Sequence, residues 1–253
     1  MHLDAPAIVL ALLPHGEHGA VVRFLTPDNG LVAGYVRGGR SSRFRPVLQP
    51  GNGVALSLRA RVDTQLAAAT VELTHARAAL ASTGIALAAL DWLTTLTAAA
   101  LAEDDPHPAL YRALDAVVTA IAAGAGPLAL GEAIVRYEHL LLGELGFGID
   151  LTSCAATGAT ADLAYVSPKS SQAVSRAAGM PYAARLLPLP GFLIGAEPAD
   201  AASIGDGLKL TGHFIERHVL TGRAAGVLPT RQRFAERISR MDATPHDPEA
   251  VRR

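Results

Sequence analysis

Cysteine is almost absent from this sequence: its 253 residues include one, Cys154. A lone thiol excludes both a disulfide framework and a four-thiolate zinc site within one chain. It also fits a reducing cytosol, where the protein is expected to reside. Long apolar runs are missing too. The stretch AIVLALL at 7–13 is too short to cross a bilayer. It follows Asp4 rather than a basic cluster and leads into PHGEHG rather than a small-residue cleavage site. No other stretch approaches about 18 uninterrupted apolar residues, so no association with a membrane is expected.

Signatures of catalysis are lacking as well. There is no GxxxxGK[ST] loop for a triphosphate and no GxSxG elbow, while GFG at 146–148 and GDG at 205–207 lack the third glycine of a dinucleotide fingerprint. His213, Glu216 and His218 lie close in sequence, but positions i and i+5 do not share a helix face as the histidines of HExxH do; they read as helix-surface residues. His15 and His18 sit in a turn without a cysteine or a second histidine cluster. The acids at 103–105 precede Pro106 and Pro108 and read as a cap for the next helix. No cofactor and no active site are expected.

Net charge is nearly absent, at a formal −1, yet its distribution is uneven. Residues 1–80 carry eight arginines against five acids, net +3; residues 81–150 carry Arg112 and Arg136 against nine acids, net −7; residues 151–253 carry twelve basic residues against nine acids, net +3. Two basic segments flank an acidic one, a pattern suited to a polyanion bound at the ends of the molecule. The densest basic stretch is GYVRGGRSSRFRPVLQPG at 34–51. It places Arg37, Arg40, Arg43 and Arg45 among glycines and serines on what reads as a mobile loop.

The apolar pattern divides at the same places. Short β-rich runs at 7–13, 20–26, 31–38, 53–62 and 66–74 are separated by HGEHG, PDNG and QPGNG, which predicts a small five-stranded barrel. From about residue 84 the period becomes helical, giving three helices divided by DDPHP and GAGP. Residues 150–180 are short and irregular, with a hairpin around AYVSPKSSQAVS. A helical pattern returns at 200–221, and LPTRQRFAERISR forms a last basic helix. The expected organisation is α+β and multidomain: 1–78 a nucleic-acid-binding barrel, 79–149 and 183–241 two parts of a helical domain, 150–182 an insertion, and 242–253 a disordered tail.

Several pieces in this order resemble one family: IVL near the start, GEHGAVVRFLTPDNGLVAGYVRGGR, LQPGN, RYEHLLLGELGFGIDLTSCAATGA, YVSPKSSQAVS, FIERHVL and LPTRQRF. Together they are similar to the bacterial RecO recombination mediators over nearly the whole chain. The resemblance implies an N-terminal OB-fold, a helical domain and a small zinc-ribbon-like insertion. It further implies binding to single- and double-stranded DNA, annealing of complementary strands, and action at the nucleoid during repair. The implied partners are RecR, RecF and the acidic C-terminal tail of single-strand-binding protein, with RecA loading as the outcome and no bond-making activity. The likeness breaks at the zinc ribbon, where the positions of the paired CxxC motifs hold Cys154, Thr157, Ser175 and Ala178. One thiolate and two poor ligands do not build a tetrahedral site, so no metal is expected, and Cys154 reads as a small buried hydrophobe.

Read from the residues alone, the arginine loop is either a set of solvated charges or a phosphate clamp. Glycines allow close approach, and each guanidinium offers two donors in a fixed fork. Phe44 supplies a stacking face between Arg43 and Arg45. Arg59 and Arg61 alternate on one strand face and extend the track; Lys169 and Arg176 either add phosphate contacts or remain surface charges. Arg112 and Arg136 are candidates for receiving the carboxylates of the single-strand-binding protein tail, or else pair with a nearby Glu. The alternatives to a DNA-binding mediator are an OB-fold RNA-binding module and a non-catalytic protein adaptor.

Overall fold

The computed structural model describes residues 2–62 and 65–242. The tail expected from 242 onward lies outside them, apart from Asp242 at the end of the last helix.

Five strands alternate inward apolar and outward polar side chains, as a half-buried sheet requires. They are β1 (His2–His15), β2 (Gly19–Thr26), β3 (Gly30–Val36), β4 (Gly53–Arg59) and β5 (Ala67–His75). They close into a barrel in the order β1-β2-β3-β5-β4, antiparallel except where β3 meets β5. This is the OB-fold expected from the sequence. Val9, Val22, Phe24, Val32, Val36, Val54, Leu56 and Leu58 fill its interior. The β2–β3 turn is fixed by Thr26, whose Oγ1 accepts from Asn29 N–H at 3.1 Å and donates to the Gly30 carbonyl at 3.0 Å. One boundary differs from expectation: β4 ends at Arg59, and Arg61 lies in the bend beyond it.

The helical body comprises α1 (Gly84–Ala100), α2 (Pro108–Ala122), α3 (Pro127–Glu144), the short α4 (Arg176–Gly179), α5 (Ala201–Phe214) and α6 (Leu228–Asp242). Its starts follow local chemistry. Thr83 caps α1 by accepting from Ala86 N–H, Pro108 and Pro127 stand in the first turns of α2 and α3, and Asp200 forms a capping box with Ser203. Between α3 and α5 lies a three-stranded sheet of β6 (Leu163–Val166), β7 (Ala173–Ser175) and β8 (Leu187–Pro188), in the order β7-β6-β8. Its hairpin is the one read from AYVSPKSSQAVS; its third strand comes from beyond residue 182.

Barrel and helices share one apolar contact surface, because Ile8, Leu10, Leu25 and Leu31 belong to the helical core. The acids at 103–105 reinforce that joint and do not cap α2, whose N-cap His107 makes no capping bond through its side chain. Asp104 takes φ +60 and donates its N–H to the Leu31 carbonyl at 2.9 Å, and Glu103 forms a bridge with Leu31. Glu103 also faces Arg23 at 3.6 Å, while Asp105 and Glu144 flank His107 at 3.5 and 3.1 Å. Tertiary pairing across the joint outcompetes capping here.

Candidate nucleic-acid interface

The arginine stretch is a folded connection, not the mobile loop expected. Successive turns run from Gly39 N–H on the Val36 carbonyl, through Phe44 and Arg45 N–H on Ser41, to Val47 and Leu48 N–H on Phe44. The buried Asn52 locks it from below. Its Nδ2 donates to the Pro46 carbonyl at 2.7 Å and the Val47 carbonyl at 3.2 Å, and its Oδ1 accepts from Ala78 N–H at 3.0 Å. Phe44 is half-buried against the barrel core, with the Arg43 guanidinium 5.6 Å from its ring centroid. It therefore anchors the stretch while the arginines around it face outward.

Arg37, Arg40, Arg43 and Arg45 are all exposed. Arg40 reaches back to the β1–β2 turn, donating through Nη1 to the Glu17 carbonyl at 3.2 Å and through its backbone N–H to the His18 carbonyl at 3.2 Å. The side chains of Arg37, Arg45 and the exposed Arg61 make no hydrogen bond or ion pair among the described residues. Arg59, also exposed, lies near Asp4, whose carboxyl is held below its usual range by hydrogen bonding from Ser57 first and by His2 and Arg59 after it. Arg61 is past the end of β4, so the two do not alternate along one strand.

Strand register nevertheless brings these residues together. One row of paired residues crosses all five strands: Leu13 opposite Val21, Val21 opposite Tyr35, Tyr35 opposite Ala68, Ala68 opposite Arg59, and Arg59 opposite His2. Directly opposed residues share a face of the sheet, and none of these six is buried. The row lies on an uncovered part of the barrel's outer surface, with Arg59 and His2 at one end and the Arg37–Arg45 stretch continuing from Tyr35. That surface presents several outward guanidiniums with Glu17 and Asp4 as its acidic neighbours, and a guanidinium can donate two hydrogen bonds to a phosphate in a fixed fork.

Elsewhere several arginines are engaged. Glu138 is fully buried in α3 and accepts four bonds. Trp92 Nε1–H donates at 2.7 Å, Arg231 Nε at 2.9 Å, Arg231 Nη2 at 2.9 Å, and the Thr211 hydroxyl also donates. This network ties α1, α3, α5 and α6 together, and sequence reading missed it. The one signal in the sequence was an acid on the apolar stripe Ile134–Val135–Leu141–Leu142; its partner Arg231 is singled out among the arginines of α6 only by its burial in the fold. Arg136 bonds Glu132 at 2.8 Å and the Phe192 carbonyl at 2.7 Å. Arg112 is exposed on α2 with no partner among the described residues. Arg176 pairs with Asp162 at 3.1 Å, and Lys169 is exposed on the β6–β7 turn. His218 stacks on Phe147 at 5.0 Å and on Phe214 at 6.3 Å, so it packs in the helical body and does not stand free on a helix surface.

Three of the four positions of the expected ribbon site do converge, but as a hydrogen-bonded cluster. The Cys154 thiol is pulled down to about 6, first by the Ser175 hydroxyl, then by Ser175 N–H and the Thr157 hydroxyl. It is buried, yet among donors and not as the plain hydrophobe expected. Ala178 offers no donor atom, and the described residues hold no group of three metal-ligating side chains. The residues do not fit a zinc ion.

Comparison with known proteins agrees across the chain. Residues 1–77 match the family model "Recombination protein O N terminal" and residues 81–224 match "Recombination protein O C terminal". A DNA repair protein RecO of Rhodospirillum rubrum is 46% identical, covering 93% of this chain and 96% of its own length. The Rhodospirillum centenum protein of that name is 46% identical over 94% and 95%. That of Paracoccus denitrificans is 43% identical over 97% and 98%.

Proposed function

The chain belongs to the RecO family of DNA repair proteins, and from that premise we propose that it is a mediator that binds single- and double-stranded DNA. In this reading it anneals complementary strands and, with RecR and RecF, helps load RecA onto DNA coated with single-strand-binding protein. It acts by binding, with no bond-making step. The observation that carries the reading is the outward arginine set on a closed OB barrel whose outer face is uncovered along the Tyr35 row. Arg37, Arg40, Arg43, Arg45, Arg59 and Arg61 meet phosphates there, and Phe44 holds the stretch in place from below. Lys169 and Arg176 contribute a second, weaker contact on the insertion.

For the acidic tail of single-strand-binding protein we assign Arg112, because Arg136 already satisfies Glu132 and the Phe192 carbonyl. The direct test follows annealing of two complementary fluorescent oligonucleotides with and without the protein, alongside competition between DNA and RNA strands. Faster annealing and preference for DNA support the reading. Preference for RNA would favour an RNA-binding module, and no oligonucleotide binding at low salt would leave a protein adaptor.

A further inference from the structure

The proposed interface contains an aromatic group that the arginines alone do not explain. Tyr35 sits mid-row on the barrel's outer face, half-exposed, with Arg37 two residues further along the chain. Its ring fills the space that a side chain at residue 19 would take: a Cβ on Gly19 would lie 2.3 Å from the Tyr35 hydroxyl. His15 meets the ring edge to face, with centroids 5.6 Å apart and planes at 75°. The Tyr35 hydroxyl makes no hydrogen bond among the described residues, so no polar partner of its own accounts for the ring's position. Phosphate donors lie on both sides. Arg37 and Arg40 stand toward the β1–β2 turn, and Arg59 is two strands away, about 10 Å at ordinary strand spacing.

We propose that Tyr35, braced by His15, is the base-stacking platform of this barrel and makes the face selective for unpaired bases. This rests on the nucleic-acid reading above and adds which part of the nucleic acid is recognised. The chemistry is that of a π-face offered to a base while neighbouring guanidiniums hold the phosphates. A duplex keeps its bases stacked on one another, so Tyr35 adds nothing to duplex binding. Phe44 does not fill the role, because its ring lies against the barrel core with Arg43 over it.

The test uses full-length protein with Tyr35→Leu, Tyr35→Phe and His15→Ala. The probes are a fluorescent oligo-dT, an abasic strand of equal length and a duplex. Tyr35→Leu is expected to weaken oligo-dT binding roughly 5- to 150-fold with an unchanged salt slope. Tyr35→Phe keeps wild-type affinity, and neither variant alters binding to the abasic strand or the duplex. His15→Ala, at an exposed strand end, loosens the ring without touching the core and shows the same base-dependent loss to a smaller extent. Melting curves control for folding. Wild-type oligo-dT affinity in both Tyr35→Leu and His15→Ala overturns the proposal, as does an equal loss on the abasic strand. In those cases the arginine interface stands without the platform. Wild-type protein that binds no strand at low salt removes the interface and the platform together.

Discussion

Arg231 in the helical body and Arg45 on the barrel carry the same guanidinium into opposite surroundings. Arg231 is almost wholly covered and bonds Glu138 through two nitrogens, with the Trp92 ring 6.0 Å away. Arg45 is exposed, and its guanidinium has no partner among the described residues. The first charge is fully answered inside the protein and serves folding; the second is answered by no side chain among the described residues. Formal charge by segment does not separate the two cases, since residues 151–253 are as basic as residues 1–80. Of the helical body's basic side chains, Arg136, Arg176, Lys209, Arg231 and Arg233 each face a carboxylate. The barrel's arginines mostly do not, and the proposed interface rests on that difference.

The contrast breaks most visibly at Arg231. Arg231→Ala leaves the Glu138 carboxylate buried and uncompensated, and is expected to cost about 3–5 kcal/mol. Chemical denaturation followed by emission of Trp92, the sole tryptophan, measures it directly, since the Trp92 N–H bonds the same carboxylate. Next in size is Gly30→Ala, at the joint between the two regions. Gly30 has φ +65, and a Cβ there would lie 1.9 Å from the Asp105 carbonyl. Left-handed strain and overpacking together are expected to cost about 2–4 kcal/mol, seen as a lowered denaturation midpoint.

Smaller effects sharpen the picture. The Cys154 thiol should titrate near 6 by thiolate absorbance, and Ser175→Ala should raise that value toward the ordinary thiol range. Because the folded thiol is depressed, its stabilisation is complete above the unfolded pKa and is lost as pH falls toward about 6. Wild-type melting should therefore vary more with pH across that window than melting of the variant. A chelator should leave wild-type melting unchanged. The smallest change is expected for Arg136→Ala. Its pairing with Glu132 is a partly exposed i,i+4 contact worth about 0.3–0.5 kcal/mol, and its hydrogen bond to the Phe192 carbonyl adds about 1 kcal/mol. Tail-peptide affinity measured by fluorescence anisotropy should not move, whereas Arg112→Ala should weaken it.

Much of this architecture is legible in the chain. Period-two runs bounded by PDNG and QPGNG mark the strands, and helical spacing with Pro108 and Pro127 marks the helix starts. Local signals of this kind are carried by neighbouring residues. What escapes is long-range. The arginine stretch reads as mobile because its glycines and serines are local, while the Asn52 that folds it acts from seven residues beyond Arg45. Glu138 and Arg231 meet across 93 positions, so neither announces the other. Arg59 and Arg61 look like a strand pair until pairing stops at Arg59, and the Tyr35–His15 contact depends on Gly19 lying between two strands. The arginines were visible; which of them were free was not.

The central claim is that the free barrel arginines hold nucleic acid through its phosphates. Its most direct test is the dependence of single-stranded DNA affinity on salt, for wild type and for a variant with Arg37, Arg40, Arg43 and Arg45 replaced by alanine. Each phosphate neutralised on a single strand contributes about −0.7 to the slope of log K against log salt. The variant is expected to fold with near-wild-type stability, as exposed substitutions usually do. It should bind more weakly regardless of base sequence, with a slope flatter by up to roughly 3 units. A folded variant that keeps the wild-type slope would contradict the account and move the phosphate contacts off the barrel.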